Sequence, residues 1–219
     1  MSSHELPNPR DYTVDPISAE EIAIAAAALR KGELVVFPTE TFYAIGADPK
    51  QANALAAIAR AKGRDQEKTI ALIAADAFSA FGVARQIPAN ARWLAEAFWP
   101  GPLTVVLPAR AGLNEALLGP NGGIGVRVSP HPVARSLARE VGGLLTATSA
   151  NLSGEPPART LTQARRSLGA QISVYVEGGA LGSDAPSTVV EFDEDGGWRI
   201  LRAGAIDCET LTAALRNPR

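Results

Sequence analysis

Cysteine is almost missing from this chain: Cys208 is the only one in 219 residues. A single thiol excludes an internal disulfide framework and any zinc site built on paired thiolates. Histidine is as scarce, with only His4 and His131, too few for a His-rich metal centre. Aromatic residues are 5% of the total, so the core cannot rest on large rings. No apolar run approaches the ~18 residues of a membrane span, and Met-Ser-Ser-His-Glu-Leu does not read as a signal peptide. Charge of one sign is not in excess either. Lys and Arg number 21 against 23 Asp and Glu, a formal net charge of -2, which argues against a general nucleic-acid binder. What remains is a protein expected to be soluble and cytoplasmic, with no membrane partner.

Hydrophobic residues reach 46%, but 40 of them are alanine, so the Val, Leu and Ile runs must carry the core. The length fits one domain and buries roughly 70% of the unfolded surface. Residues 1–16 hold three prolines and no periodicity, which predicts an extended lead-in before a domain over 17–219. Ser18-Ala-Glu-Glu21 reads as a capping box for an Ala-rich helix stopped at Gly32. Short apolar runs at 34–37, 70–73, 103–107, 125–128, 144–148 and 172–176 read as strands. Helices are predicted over 51–62, 89–98, 131–141 and 207–215, and a hairpin over 187–192 and 198–201. The alternation predicts an α/β domain with a mostly parallel sheet and an antiparallel edge.

The common phosphate fingerprints are absent: there is no Gly-x4-Gly-Lys-Ser/Thr and no Gly-x-Gly-x-x-Gly between a strand and a helix. The basic cluster Arg60, Lys62, Arg64 and Lys68 holds two of only four lysines. It reads either as cations complementing a helix C-terminus or as a clamp on phosphate or carboxylate. Ser149-Ala-Asn151 follows a predicted strand, as a plain turn or as a ligand loop. Glu40, in Pro38-Thr-Glu-Thr41, is a base, a Mg2+ ligand or simply solvated. Arg127 stands between Val126 and Val128, where a buried guanidinium needs an anionic or carbonyl partner. His131, between two prolines, reads as structural.

Taken in order, seven motifs point one way. Pro38-Thr-Glu-Thr-Phe-Tyr-Ala-Ile-Gly46, Lys62-Gly-Arg64, Trp99-Pro-Gly-Pro-Leu-Thr104, Val126-Arg-Val-Ser-Pro-His-Pro132, Ser149-Ala-Asn-Leu-Ser-Gly154, Ser187-Thr188 and Ile200-Leu-Arg-Ala-Gly-Ala-Ile206 resemble the threonylcarbamoyl-AMP synthase family, the YrdC-type domain. The resemblance runs from about residue 18 to 206. It implies a single α/β domain with a twisted, mostly parallel or mixed open sheet, flanked by helices around a deep cationic cavity. It also implies condensation of L-threonine, bicarbonate and ATP to threonylcarbamoyl-AMP and pyrophosphate. By matching position, Thr41, Arg127, Ser149 and Ser187 would hold threonine. Lys62, Arg64, Lys68, Asn151, Arg159 and Arg202 would line the ATP region, with Lys62 and Arg64 stabilising charge on the phosphates. Mg2+ is expected with ATP, and a tRNA or tRNA-modifying complex as recipient of the product. The sequence departs from the family pattern at Ala44, usually Gly, and around Arg64-Asp65 and Lys68-Thr69. The rival readings are a non-catalytic member that binds RNA or a nucleotide, and a carbamoyl-transfer module like that of hydrogenase-maturation proteins.

Overall fold

The computed structural model describes residues 17–63, 69–182 and 185–216; the lead-in predicted over 1–16 lies outside them. Helix α1, Ala19–Arg30, begins where the capping box requires. The Glu21 amide donates to the Ser18 hydroxyl at 3.2 Å, and the Ser18 amide donates to the Glu21 carboxylate at 3.0 Å. It ends before Gly32, whose φ of 82° a side chain rarely adopts. The remaining helices are α2 (Ala52–Ala61), α3 (Ala77–Phe81), α4 (Ala89–Phe98), α5 (Pro132–Glu140), α6 (Leu161–Leu168) and α7 (Cys208–Arg216). Among the described residues no helix is long and apolar enough to cross a membrane.

Among the described residues nine strands form one sheet: β1 (Val35–Phe37), β2 (Ala44–Gly46), β3 (Ala71–Ala74), β4 (Leu103–Pro108), β5 (Gly123–Val128), β6 (Leu144–Ser149), β7 (Val174–Tyr175), β8 (Thr188–Phe192) and β9 (Trp198–Arg202). Their spatial order is β7-β1-β2-β6-β3-β5-β4-β8-β9. Five neighbouring pairs are antiparallel and three are parallel. The sheet is therefore mixed, and the mostly parallel reading needs correction. Its cause is the short return: β1 reaches β2 through the turn at 38–43 without a helix, which only an antiparallel neighbour permits. The hairpin of β8 and β9 is antiparallel as expected.

Strand alternation sorts the core into layers. Val36, Ile45, Leu72 and Val126 pack with α2 and α6 on one face. Val35, Phe37, Ile73 and Leu145 pack with α1 and α5 on the other. A third cluster joins Leu103, Val105 and Val190 to Leu94 of α4 and Leu211 of α7. Between these supports one stretch of the sheet carries polar residues instead of helices.

Candidate functional site

That stretch is a cavity of about 370 Å3. Thr104 and Val106 of β4, and Gly123, Gly125 and Arg127 of β5, line it at every second position. Ala71, Ala44 and Ala147 add small side chains from the neighbouring strands. The hollow exists because glycine and alanine stand where a sheet face usually carries bulk. At Gly123 even a methyl group would meet Val106 at 2.7 Å. The turn at 38–43, Pro157, Ser187 and Arg202 form the walls.

Arg127 sits one residue before the end of β5 with 8% of its surface exposed. Its Nη1 lies 3.3 Å from Oε1 of Glu40. The partner that a buried guanidinium demands is thus a carboxylate. Glu40 is itself buried, and Ser129 Oγ donates to its Oε2. The reading of Glu40 as a solvated turn residue is corrected here: the 38–43 turn folds inward because the Thr39 hydroxyl accepts from the amides of Thr41 and Phe42, at 3.2 and 3.3 Å. Thr41 is buried too, its hydroxyl 3.1 Å from that of Thr39.

Arg202, at the end of β9, faces Arg127 across the same space. Its Nη2 donates to the Ser187 carbonyl at 2.7 Å and to the Ser187 hydroxyl at 2.9 Å. That hydroxyl lies 2.9 Å from the hydroxyl of Thr104. Burial, and then the like charge of Arg127, lower the pKa of Arg202 from its ordinary value. Two guanidiniums bearing on one cavity, one of them held by neutral oxygens, favour an anionic ligand. Otherwise the lining is mainly hydroxyl and apolar, so among the described residues the hollow is polar more than densely cationic.

Ser149 lines the cavity at the end of β6, directly opposite Ala44 in register. The next residues turn away from it. Lys62, at the C-terminal end of α2 and 4% exposed, directs its ammonium at this turn. It donates to the carbonyls of Ser149 and Asn151, at 2.5 and 2.9 Å, and approaches Asn151 Oδ1 at 3.4 Å. The Asn151 amide group donates to the carbonyls of Leu152 and Glu155. Neither residue lines the cavity; together they shape the loop that presents Ser149. Arg159 is exposed, just before the Thr160 cap of α6, and does not line the cavity either. Arg64 and Lys68 lie outside the described residues. Of the residues singled out in the sequence, Thr41, Arg127, Ser149, Ser187 and Arg202 therefore meet in one place.

Sequence reasoning missed Thr39, Thr104 and Tyr43. Thr104 carried a signal, a hydroxyl alternating with the buried Leu103, Val105 and Leu107. Tyr43 is fully buried, and its hydroxyl donates toward the Gly179 carbonyl at 2.8 Å while accepting from the Gly178 amide at 3.0 Å. Glu177 Oε1 stands 3.0 Å from the same hydroxyl. Burial, then the charge of Glu177, push the phenol well above its ordinary value. Nothing in the sequence pairs residues so far apart.

A larger hollow of about 830 Å3 adjoins the cavity at Val106, Gly123 and Glu191. Four of its charged groups form ion pairs, Arg85 with Glu194 and Arg199 with Glu191, and all of these but Glu191 are exposed side chains. Buried, convergent polar groups distinguish the smaller cavity as the candidate site.

As to metals, no cluster of three or more His, Cys, Asp or Glu occurs among the described residues. Glu40 is engaged by Arg127 and Ser129, and Glu191 by Arg199. The donor set does not form a protein cage for Mg2+, which commonly needs only one or two carboxylates besides substrate phosphates.

The Sua5/YciO/YrdC family model, described as telomere recombination, matches residues 27–204. The threonylcarbamoyl-AMP synthase of Methylococcus capsulatus is 38% identical over 186 residues, covering 84% of this chain and 98% of the relative. That of Halorhodospira halophila is 38% identical over 165 residues, covering 75% and 86%. Among solved structures, Sua5 of Pyrococcus abyssi complexed with L-threonine superposes with a TM-score of 0.83 at 33% identity. The match covers 88% of this chain but only 56% of that one, so this chain spans a little over half its length.

Proposed function

This chain belongs to the Sua5/YciO/YrdC family, and from that premise we propose that it is a threonylcarbamoyl-AMP synthase, acting as a nucleotidyltransferase on L-threonine, bicarbonate and ATP. The observation that carries this reading is the meeting of Thr41, Arg127, Ser149, Ser187 and Arg202, from five separate segments, around one cavity. In this reading the threonine carboxylate pairs with Arg127. The hydroxyls of Thr41, Ser149 and Ser187 orient its polar groups.

The chemistry asks little covalent work of the protein. The threonine amino group takes up bicarbonate carbon to give a carbamate, with loss of water. A carbamate oxygen then attacks the α-phosphorus of ATP, and the bond to the β-phosphate oxygen breaks to release pyrophosphate. Positioning and charge stabilisation do the rest. In this reading Arg202 contributes a cation to phosphate from the cavity wall, Arg64, Lys68 and Arg159 are assigned to ATP by motif resemblance alone, and Lys62 and Asn151 act through the loop that carries Ser149. Mg2+ would enter with the phosphates of ATP. The adenylate serves the threonylcarbamoyl modification of tRNA, and the reaction would take place in the cytoplasm.

The test is pyrophosphate release with each substrate omitted in turn. Release that requires both L-threonine and bicarbonate, with threonylcarbamoyl-AMP identified by mass, is the expected result. ATP turnover indifferent to threonine would overturn the assignment.

A further inference from the structure

The contact between Glu40 and Arg127 carries more than charge balance. Arg127 Nη1 is enclosed, out of reach of solvent, and lies 3.3 Å from the equally enclosed Oε1 of Glu40. The exposed remnant of the guanidinium is therefore elsewhere on the group, and Arg127 lines the cavity. A guanidinium is a rigid plane with five N–H donors. The contact is an ion pair without hydrogen-bond geometry, so Glu40 sets the guanidinium's position by charge and close packing, and the plane of the group carries that position to its other donors.

Glu40 is in turn held from behind. Ser129 Oγ donates to its Oε2 and accepts from the His131 amide at 3.1 Å. The His131 imidazole caps α5, its Nδ1 accepting from the Val133 amide at 3.3 Å. Arg127, Glu40, Ser129 and His131 are each at most 8% exposed. An unbroken polar chain thus ties the guanidinium to the start of a core helix.

We propose that Glu40 is the positioning residue of Arg127, orienting its guanidinium so that the free edge meets the carboxylate of the amino-acid substrate. This deepens the function proposed above and rests on it. Two effects of opposite sign make the role testable. If Glu40 only neutralised charge, removing it would leave the cavity more cationic, and a carboxylate would bind more tightly. If it orients Arg127, removing it weakens that binding.

The experiment is calorimetric titration of L-threonine, and separately of a non-hydrolysable ATP analogue, into the full chain and its variants. Glu40→Asp keeps the charge and shortens the reach, and Ser129→Ala keeps both charges and frees the carboxylate. Each is expected to weaken L-threonine binding by ~10–100-fold, the scale of a misplacement near 1 Å, with the ATP analogue unchanged within about twofold. Binding of L-threoninamide, which lacks the carboxylate, should not change between variants. Glu40→Gln binding L-threonine as tightly as the parent, or more tightly, would overturn the proposal. So would a parallel loss of both ligands with the melting temperature, the mark of a purely structural role. If Glu40→Asp does not fold, Ser129→Ala decides. A parent chain that bound the ATP analogue but no L-threonine would overturn the functional reading itself, and this role with it.

Discussion

At the scale of single residues, burial decides what a polar group can do. Tyr43 places its hydroxyl among Glu177, Gly178 and Gly179, which pins the segment after β7 to the wall of the cavity. Tyr43→Phe leaves the Gly178 amide and the Gly179 carbonyl without this partner, a loss of ~1–3 kcal/mol of stability. Urea unfolding of the variant should show it as a lower midpoint at unchanged slope. An unchanged midpoint would mean that water replaces the hydroxyl at no cost. The same scale explains what could be read in advance. A guanidinium between two valines announced a buried charge, and the structure supplied Glu40 as its partner. No pattern of spacing could do so, because the two are 87 residues apart in the chain. The hydroxyls of Thr41, Ser149 and Ser187 were legible through motif resemblance, whereas Thr39 gave no signal of its own within the turn.

At the scale of elements, α2 and the turn after β6 act as one unit. The Lys62 ammonium donates to Ser149 and Asn151, and the Lys62 carbonyl accepts from the Ser153 amide at 3.0 Å. Lys62→Met keeps the stem but leaves buried carbonyls without their donor, at ~1–3 kcal/mol. The expected outcome is lower stability by thermal unfolding and a raised KM for L-threonine, because Ser149 rides on that turn. A stable variant that lost only its affinity for pyrophosphate would instead place the ammonium on phosphate. Helices with caps in the sequence were legible at this scale. The capping box of α1 and the Pro-Gly stop after α4 fixed their ends to within a residue or two. Helix α6 was missed although Thr160 and Gln163 form a second capping box, since its eight residues show few apolar positions. Strand β2 was missed because Ala-Ile-Gly gives three residues and no alternation. Without β2 the turn at 38–43 had no return strand, and the sheet read as more parallel than it is.

At the scale of the molecule, the sheet works as a frame whose opposite faces are closed by α1 with α5 and by α2 with α6, leaving the cavity between supports. The link from that frame to the site runs through His131, and it makes stability, and at lower pH the site geometry, respond to acid. His131 has no exposed surface, and burial lowers its pKa to about 4. Its ordinary value in an unfolded chain is about 6.5. Between these values the unfolded chain binds a proton that the folded chain refuses, so stability rises with pH across that window. The contribution is complete above about 6.5, and is lost as the pH falls toward 4. At pH 5 the loss from this group is about 2 kcal/mol, at 1.36 kcal/mol per unit. His131→Asn retains a side chain able to cap α5 but cannot take up the proton. Urea unfolding at pH 7 and pH 5 should show the parent losing about 2 kcal/mol more than His131→Asn. Parallel losses in the two proteins would assign the acid sensitivity to the carboxylates instead. Because the His131 amide holds Ser129, and Ser129 holds Glu40, forced protonation should also loosen Arg127. Affinity for L-threonine measured on still-folded protein should then hold level from pH 6.5 to 5, where the folded chain keeps His131 neutral, and fall only toward pH 4, with no such fall in His131→Asn.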